Sequence, residues 1–418
     1  MKSKYFILIA ALFVLGMAPL LAVPTDYSPT NPTYKQSAEP FIGTSVRLLG
    51  MGGAGLGVKG YYDSFLVNPA NLAKAGFNFS FPSITVTAFN PKAILESGMI
   101  EDFAEGEDGM VVGAEKFLNT IKKVYGDVLT TDISTTITLG SFGLSLQAQE
   151  RLMSYKTDYR ITDTNLIAQV TTAATVGFGF RINLAEKVSI DLGVAAQAVY
   201  KVYLEALSGN TIIDMINNED DFGDKFINDM PLIGGYALPL SAGVNFNLPG
   251  GLTLSTVAKN LNGNYTMNTF QSMNDWAEEV LNESFGDDTS DDAFFTSTSF
   301  TIDSEWTLDT GLTWEPNIGS LIRPIIAVDV LDVLALSGKT GDDLTNALLS
   351  QVRFGASARL LSLFDFRYGL NQGYQSIGVG FDLLIFHIDA AYYTLEYGSR
   401  ISGKPIDALS LRFSLFSR

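Results

Sequence analysis

Residues 187–205 read KVSIDLGVAAQAVYKVYLE, and apolar residues occupy the even positions from Val188 to Leu204. The odd positions carry mostly small, polar or charged residues, among them Lys187, Ser189, Asp191, Gly193, Ala195, Gln197, Lys201 and Glu205. This alternation has the period of a β-strand, because a helix with 3.6 residues per turn would scatter these residues around its axis. The stretch is longer than the ~5–6 residues usual in soluble sheets, and it suffices for the ~9–11 residues that cross a bilayer at a tilt. It therefore predicts a membrane-spanning strand.

Residues 299–315 repeat the alternation with a sharper contrast between the two faces. One face carries Phe300, Ile302, Trp306, Leu308, Leu312 and Trp314, and the other carries Thr301, Asp303, Glu305, Thr307, Asp309, Thr313 and Glu315. Four acidic groups on one face cannot point into lipid or a dry core, so this face is predicted to be wet. At ~3.3 Å per residue and a ~40° tilt, Trp306 and Trp314 lie about 20 Å apart along the membrane normal, which is typical of two aromatic girdles.

The same pattern recurs from residue 77 to the C-terminus in about fourteen segments. The connections between them are alternately short and long, as expected for periplasmic turns and outer loops. We predict an all-β fold, an antiparallel transmembrane β-barrel of about 14 strands. The first outer loop, Pro91 to Leu129, is predicted to be partly helical, with an apolar face of Met99, Phe103, Met110, Val111, Phe117, Leu118 and Ile121.

Two prolines fall inside predicted strands, where a proline removes a ladder donor. Around Pro82 the apolar phase shifts by one residue, from Phe77, Phe79 and Phe81 to Ile84, Val86 and Ala88. This shift predicts a β-bulge at Pro82-Ser83. An ordinary bulge and a kink that opens the wall both fit the pattern, so Pro82, Ser83 and Pro239 are the candidate wall kinks.

The N-terminus has the pattern of a cleaved export signal. Lys2 and Lys4 precede an apolar run that ends at Leu21, and Ala22 stands before Val23. A single anchoring helix is the alternative, since the run approaches the ~20 residues that a span needs. The run lacks a basic flank after it, which favours cleavage. We expect a signal peptide at residues 1–22, an N-terminal extension and hatch (plug) at residues 23–76, and the barrel at residues 77–418.

Composition excludes several classes of function. The chain has no cysteine, one histidine (His387) and a net charge of -18. It therefore lacks the ligands of a thiolate metal site, and a Ser-His-Asp triad has almost nothing to draw on. Its acidity argues against nucleic acid as a partner, because phosphate binding rests on Lys and Arg. We assign no chemistry to His387, expect no enzyme activity, no cofactor and no metal, and expect outer-membrane lipid around a monomer.

Residues 47–73, RLLGMGGAGLGVKGYYDSFLVNPANLA, form a glycine-dense segment before the barrel. Gly50 to Gly55 fit G-x-G-x-x-G, but a dinucleotide site needs a strand before the motif and a helix after it. No amphipathic helix follows Gly55, so tight turns in a packed plug are the better use of these glycines.

Acidic clusters in the predicted outer loops raise the question of calcium. Their spacing lacks the glycine and the terminal glutamate of an EF-hand, which favours solvated loops. The clusters comprise Glu219, Asp220, Asp221, Asp224 and Asp229, and then Asp287, Asp288, Asp291 and Asp292.

The chain resembles the long-chain fatty-acid transporter family of outer-membrane barrels (FadL/TodX-like), in particular its diverged spirochaete members. The residues that carry the resemblance are Arg47, Leu48, Leu49, Gly50, Met51, Gly52, Gly53 and Ala54, and then Asp63 to Ala73 with Asn68, Pro69 and Ala70. They are similar to the family's glycine-rich hatch and its Asn-Pro-Ala element. The resemblance implies a 14-stranded barrel closed by an N-terminal hatch, with uptake of hydrophobic molecules and sideways release through a wall kink.

The function expected from this resemblance is passive uptake of long-chain fatty acids or similar hydrophobic compounds across the outer membrane. The expected ligand-binding and hatch residues are Arg47 to Gly53 and Asn68-Pro69-Ala70. Two alternatives remain at this point. One is a scaffold or shuttle that docks a secreted or adhesive partner, and the other is an open porin.

Overall fold

The computed structural model describes residues 38–121, 125–156, 160, 164–204, 207–210, 213, 231–281, 298–319, 321–383, 385–398 and 400–415. The predicted signal peptide and both acidic clusters lie outside these residues. None of the described helices is long and apolar enough to cross a membrane.

The described strands form a closed antiparallel barrel of 14 strands, as predicted. The wall closes where the first strand pairs with the last, from Ser83 opposite Ser414 to Phe89 opposite Ala408. Closure pairs the strand edges that would otherwise remain open, which a bilayer requires. The strands are β1 (Gly76–Phe89), β2 (Tyr125–Gly140), β3 (Phe142–Lys156), β4 (Thr164–Ala185), β5 (Val188–Leu204), β6 (Leu232–Ala237 and Leu240–Leu248), β7 (Leu252–Leu261 and Tyr265–Phe270), β8 (Ser299–Ile302 and Thr307–Trp314), β9 (Ile322–Val330), β10 (Val352–Leu360), β11 (Phe364–Asn371), β12 (Tyr374–Leu383), β13 (Phe386–Glu396) and β14 (Pro405–Leu415).

The helices lie before the barrel and in its outer loops. The helices are α1 (Val46–Gly50), α2 (Ser64–Val67), α3 (Pro91–Ser97), α4 (Met99–Ala104), α5 (Glu107–Thr120), α6 (Met273–Leu281) and α7 (Gly341–Gln351), with 3₁₀ turns at Pro69–Lys74, Pro249–Gly251 and Val333–Leu336. The predicted helical loop is confirmed at α3 to α5, whereas residues 125–129, which were predicted to lie in this loop, belong to β2. Phe117, Leu118 and Ile121 are buried in one cluster with Leu232 and Phe270, which packs this loop onto the outer ends of the strands.

The faces of β1 and β5 agree with the sequence prediction. In β5, Asp191, Gly193 and Lys201 are buried inside the barrel, whereas Val194 on the opposite face is exposed. In β1, the pairing with β2 shifts between Ser80 and Ser83, which confirms the bulge beside Pro82. The bulge inserts one extra residue into β1. The apolar residues therefore change from odd to even positions at the bulge and stay on the outer face.

The prediction for β8 was wrong at its outer end. Phe300 and Ile302 point inward, and Ile302 is buried against Phe41. The physical reason is a break at residues 303–306, where the strand leaves the ladder and its phase shifts before Thr307. Trp306 and Trp314 are on the outer face, as predicted, with 48% and 42% of their surface exposed.

Three neighbouring strands are interrupted at one level of the wall. We call this line the crease and define it as Leu238-Pro239 in β6, residues 262–264 in β7 and residues 303–306 in β8. The outer segments of these strands pair with one another, and the inner segments pair separately. The crease therefore divides the wall locally into two sheets that share β5.

The outer face makes a testable prediction about the tryptophans, of which the chain has three. In lipid vesicles with brominated acyl chains, we expect strong quenching of Trp306 and Trp314 in single-tryptophan variants. The matched control is a single tryptophan introduced by Tyr203→Trp, at an inward position of β5 with 1% of its surface exposed. Equal quenching of all three would contradict the orientation of β8.

Candidate functional site: the N-terminal segment and the luminal cavities

Residues 38–75, here called the N-terminal segment, lie inside the barrel. Val46, Met51, Val58, Ala70 and Leu72 have at most 1% of their surface exposed, although the segment contains no long helix and no strand. The inward faces of the wall strands surround it. The segment therefore fills the lumen at the level of its glycine-rich turn and its Asn-Pro-Ala element.

The Asn-Pro-Ala element is built from local capping. Asn68 has an extended backbone, its side-chain oxygen accepts from the Ala70 N–H at 3.0 Å, and Pro69 begins a 3₁₀ turn. Asparagine suits the cap position, and proline suits the first helical position, where no N–H donor is needed. The result is a compact turn whose remaining amide groups are available for other contacts.

The wall opposite this turn is formed by glycines that leave room for a backbone. A Cβ added at Gly193 in β5 would lie 2.2 Å from the carbonyl carbon of Pro69, and one at Gly243 in β6 would lie 1.9 Å from the Asn68 side-chain oxygen. Both distances are far below a normal contact, so a larger residue at either position would displace the turn.

A second group of wall glycines faces α1 and the turn after it. A Cβ added at Gly369 in β11 would lie 2.2 Å from the Gly52 nitrogen, and one at Gly378 in β12 would lie 2.9 Å from the Gly50 Cα. Gly52 has a φ of 65°, which a side chain would strain as well. The segment is thus wedged between two glycine surfaces of the wall.

Amide groups connect the Asn-Pro-Ala element to β6. Asn68 Nδ2 donates to Asn245 Oδ1 at 2.9 Å, and Asn245 Nδ2 donates to Asn71 Oδ1 at 2.9 Å. Ser255 of β7 donates to the same Asn245 oxygen at 2.7 Å. All four side chains are buried. A buried amide group costs free energy unless it is hydrogen-bonded, so these contacts define one seated position of the element.

A group of charges lies beneath the glycine-rich turn at the periplasmic side. Arg367 of β11 contacts Asp365 at 2.9 Å and Asp389 of β13 at 2.5 Å. Arg412 of β14 contacts Asp389 at 3.1 Å, and its guanidinium lies 4.1 Å from the ring centroid of Tyr62 in the N-terminal segment. Burial raises the pKa of the Tyr62 phenol, so this ring stays neutral against the guanidinium.

His387 lies on the lumen wall among these charges. Its two ring nitrogens are each 2.6 Å from a carboxylate oxygen, one of Asp382 and one of Asp389. Both carboxylates are also paired with arginines, Arg359 and Arg412 among them. The surroundings of His387 are those of an ion-pair network in the wall.

Within the segment, Arg47 makes an ion pair with Asp63 at 2.9 Å, and both side chains are buried. The Ser45 hydroxyl donates to the same carboxylate. At the periplasmic end, Lys59 pairs with Asp191 of β5 at 2.7 Å. The pKa of Lys59 is lowered, because burial disfavours the ammonium ion more than the hydrogen bond and charge of Asp191 favour it. These two ion pairs hold the segment together and attach it to the wall.

Two cavities adjoin the outer side of the segment. The arginine cavity has a volume of about 370 Å³ and is lined by Arg151, Lys201 and Gln169 of the wall and by Leu48, Leu49 and Gly53 of the segment. The proline cavity has about 300 Å³ and is lined by Pro239 of the crease, by Gln197 and Asn260 of the neighbouring strands and by Phe65 and Leu66 of the segment. Residues 40–43 line both. Ligand pockets in proteins occupy ~300–1,000 Å³, so each cavity is of useful size.

The cavities have one polar side and one apolar side. Wall residues contribute most of the polar lining, which comprises amides, hydroxyls, three cations (Arg151, Lys201 and Lys259) and three carboxylates (Asp127, Asp309 and Asp332). The N-terminal segment contributes mainly aliphatic and aromatic side chains. Ile42 exposes 53% of its surface although it lies in the lumen. Gln169 is buried, and its side-chain oxygen has no hydrogen-bond partner in the described part of the chain. The lining suits an amphiphile better than a simple ion or a saturated hydrocarbon.

The sequence-predicted residues occupy several different places in this geometry. Leu48, Leu49 and Gly53 line the arginine cavity, whereas Gly50, Met51 and Gly52 contact the wall glycines. Arg47, Asn68, Pro69 and Ala70 are buried in polar or backbone contacts and line neither cavity. Pro239 lies at the crease, whereas Pro82 and Ser83 form the bulge of β1.

Sequence reasoning missed the wall residues that contact the segment. Asn245, Asp329, Arg151 and Lys201 sit at inward positions of predicted strands, and the alternation gives their face without naming their partners. The sequence does offer one indication of such a contact: a charged residue, such as Asp329, among the small or neutral residues of an inward face.

No protein-family model matches the chain, and no curated protein matches it. Solved structures similar to it include the toluene transporter TbuX of Ralstonia pickettii, with 10% identity, 90% of this chain and 98% of that chain covered and a TM-score of 0.47. The toluene transporter TodX of Pseudomonas putida has 10% identity, with 90% of this chain and 98% of that chain covered and a TM-score of 0.45. A FadL homologue of Pseudomonas aeruginosa has 11% identity, with 89% of this chain and 97% of that chain covered and a TM-score of 0.41. At TM-scores below 0.5 these likenesses assign no function to this chain.

The class that fold and site define is a 14-stranded membrane-type barrel whose lumen holds its own N-terminal segment against two glycine surfaces of the wall.

The glycine surface around Gly193 makes a testable prediction. Gly193→Ala places a methyl group against Pro69 and is expected to unseat the Asn-Pro-Ala turn at a cost of ~1–3 kcal/mol. The chain has no cysteine, so a thiol introduced by Ser64→Cys, at a site with 4% of its surface exposed, reports on opening. We expect maleimide labelling to be about tenfold faster in the Gly193→Ala background. Ala174→Val on the lipid-facing side of β4 is the control, and equal rates in both backgrounds would contradict the packing.

Proposed function

We propose that this protein takes up long-chain fatty acids or similar amphiphiles passively across the outer membrane. The N-terminal segment acts as the hatch, and the arginine and proline cavities are the binding site above it. The observation that carries the proposal is the pairing of an apolar segment face with cationic and amide groups of the wall in cavities of about 370 and 300 Å³. An acyl chain entering from water gains ~0.8 kcal/mol per buried CH₂.

The polar end of the ligand is assigned to Arg151 and Lys201. Arg151 already holds two carboxylates, those of Asp127 at 2.9 Å and Glu39 at 2.6 Å. Asp127 is buried, whereas the Glu39 side chain is about half exposed. A ligand carboxylate can therefore replace Glu39 on the guanidinium without unpairing a buried charge. Lys201 lies beside this point, and its ammonium donates to the Glu39 carbonyl at 3.1 Å.

Removal of the competing carboxylate tests this assignment. Glu39→Gln is expected to tighten binding of a C16 fatty acid about two- to fivefold, because an exposed ion pair is worth ~0.5–1 kcal/mol. Affinity for the C16 alcohol should not change, since it carries no charge. Binding is measured on refolded protein by calorimetry or with a labelled acid. An equal gain for acid and alcohol, or no binding of either, would count against the proposal.

The exit is assigned to the crease. Pro239 and Gln197 line the proline cavity, and the adjacent Leu238 and Ala198 line a depression of about 600 Å³ on the lipid-facing side of the wall. At this point of the wall, neighbouring residues thus line the luminal cavity and the lipid-facing depression, and the hydrogen-bond ladder between the strands is interrupted. A hydrophobic molecule that leaves here enters the membrane without crossing the periplasmic side of the lumen. Pro82 and Ser83 are the less favoured exit, because neither lines the arginine cavity or the proline cavity.

A reversible lock across the crease tests the exit. Leu240 of β6 and Leu261 of β7 are paired directly opposite each other beside the crease, so cysteines placed at both positions lie close enough to be bridged. In the oxidised Leu240→Cys, Leu261→Cys protein we expect normal acid binding but slow transfer of the bound acid to vesicles. Reduction should restore transfer in the same sample, which provides the control. Transfer at the same rate in both redox states would exclude this route.

An open porin and a docking scaffold remain the rivals. A lumen filled by the N-terminal segment argues for low steady conductance in a planar bilayer. Large conductance would favour the porin, and stoichiometric capture of a partner without any lipid binding would favour the scaffold.

A further inference from the structure

The peptide groups at Gly55-Leu56 are held from two sides. The N–H groups of Gly55 and Leu56 donate to Asp329 Oδ2 of β9 at 2.5 and 2.9 Å. The Leu56 carbonyl accepts from Asn68 Nδ2 at 3.1 Å and from Asn71 Nδ2 at 3.2 Å. Hydrogen bonds to a carboxylate are the stronger kind, so Asp329 dominates this contact.

The same contacts continue to the other side of the segment. Asn68 and Asn71 are both bonded to Asn245 of β6. A single chain of hydrogen bonds therefore runs from β9 through the Leu56 peptide groups to β6. We call this chain the latch and define it as Asp329, Gly55-Leu56, Asn68, Asn71 and Asn245.

The Asp329 carboxylate receives its hydrogen bonds from the N-terminal segment, so the contact stabilises both partners. Asp329 has no exposed surface, and in the described part of the chain its other oxygen, Oδ1, has no hydrogen-bond partner. Both hydrogen bonds that the described residues give this carboxylate come from the N-terminal segment. A buried carboxylate is costly without such bonds, so movement of the segment and exposure of Asp329 to water should occur together.

The wall makes room for Asp329 through a glycine on the neighbouring strand. A Cβ added at Gly311 in β8 would lie 1.9 Å from Asp329 Oδ1. A side chain at 311 would push the carboxylate away from Gly55 and Leu56 without changing any charge. This gives a second and independent way to open the latch.

The latch also touches the ligand site. Leu56 is one of the residues that line the arginine cavity, and its peptide groups belong to the latch. A ligand that needs more room than the cavity offers binds better when Leu56 is displaced. Such a difference in affinity between two states is what shifts their equilibrium.

We propose that Asp329 is the positioning residue of the hatch, and that a ligand in the arginine cavity releases the latch by displacing Leu56. This deepens the proposed function and rests on it for the ligand. The attachment by Asp329 is independent of which molecule the protein carries. Lys59 and the tyrosine contacts at the periplasmic side remain in place when the latch opens, so the segment pivots and does not leave the barrel.

The experiment uses the full chain with the Ser64→Cys reporter in three backgrounds. Asp329→Asn removes the charge that accepts the two N–H donors, Gly311→Ala displaces the carboxylate, and Asp365→Asn is the matched control. Asp365 is also a buried acid on the wall, but it pairs with Arg367 at 2.9 Å, accepts from Ser357 and lines neither the arginine cavity nor the proline cavity. A gel shift on heating verifies that every barrel is folded.

Without ligand, labelling should be about tenfold or more faster in Asp329→Asn and in Gly311→Ala than in the parent or the control, since both changes weaken hydrogen bonds to a charged acceptor. A saturating C16 acid should accelerate labelling of the parent and the control but not of the two latch variants. Equal acceleration by Asp365→Asn, or slow labelling in both latch variants, would overturn the proposal.

Adding the C16 acid distinguishes a failure of the proposed uptake function from a failure of the latch. If no protein binds the acid in a direct titration, the proposed function fails while the ligand-free comparison still tests Asp329. If the parent binds the acid and its labelling rate does not change, the coupling through Leu56 is wrong and the uptake function stands.

Discussion

Hydrogen bonding of backbone groups in a water-poor environment is the constraint on which this structure depends. A wall in lipid must pair its strand edges, because an unpaired peptide group in hydrocarbon costs several kcal/mol. The barrel meets this by pairing β1 with β14. The N-terminal segment meets the same constraint without a ladder, since its peptide groups are bonded within its own turns and to side chains. At Gly55-Leu56 these side chains are Asp329 of the wall and Asn68 and Asn71 of the segment itself.

The two glycine surfaces follow from this arrangement. A segment that offers turns and peptide groups can seat firmly only where the wall has no side chains in the way. Gly193 and Gly243 provide this on one side, and Gly369 and Gly378 on the other. Close packing makes such a seat sensitive to one methyl group. Above it, looser contacts leave the two cavities, where the polar wall and apolar segment face each other across open space.

The crease shows how an interrupted ladder can be stable inside a closed wall. Asn260 of β7 donates to the Ser304 carbonyl at 3.2 Å and to the Glu305 carbonyl at 2.9 Å, which satisfies backbone acceptors that the ladder has abandoned. The Leu238 carbonyl accepts a hydrogen bond from the Asn262 side chain in the same way. Asparagine side chains thus replace strand pairing along the crease, and side chains move more easily than a ladder. This is the physical basis for placing an exit there.

Alternation along the chain determined the class of fold by itself, because the outside of a barrel wall is apolar and the inside is not, whatever the neighbours are. It gave the faces of β5, the bulge at Pro82-Ser83 and the orientation of Trp306 and Trp314. It failed for Phe300 and Ile302, because a strand that leaves the ladder at residues 303–306 loses its phase, and periodicity assumes an unbroken strand. Only the tertiary structure decided the partners. Asp329 and Gly55 are 274 positions apart, and nothing local couples an inward carboxylate to a distant peptide group, since that contact exists only when the wall closes around the segment.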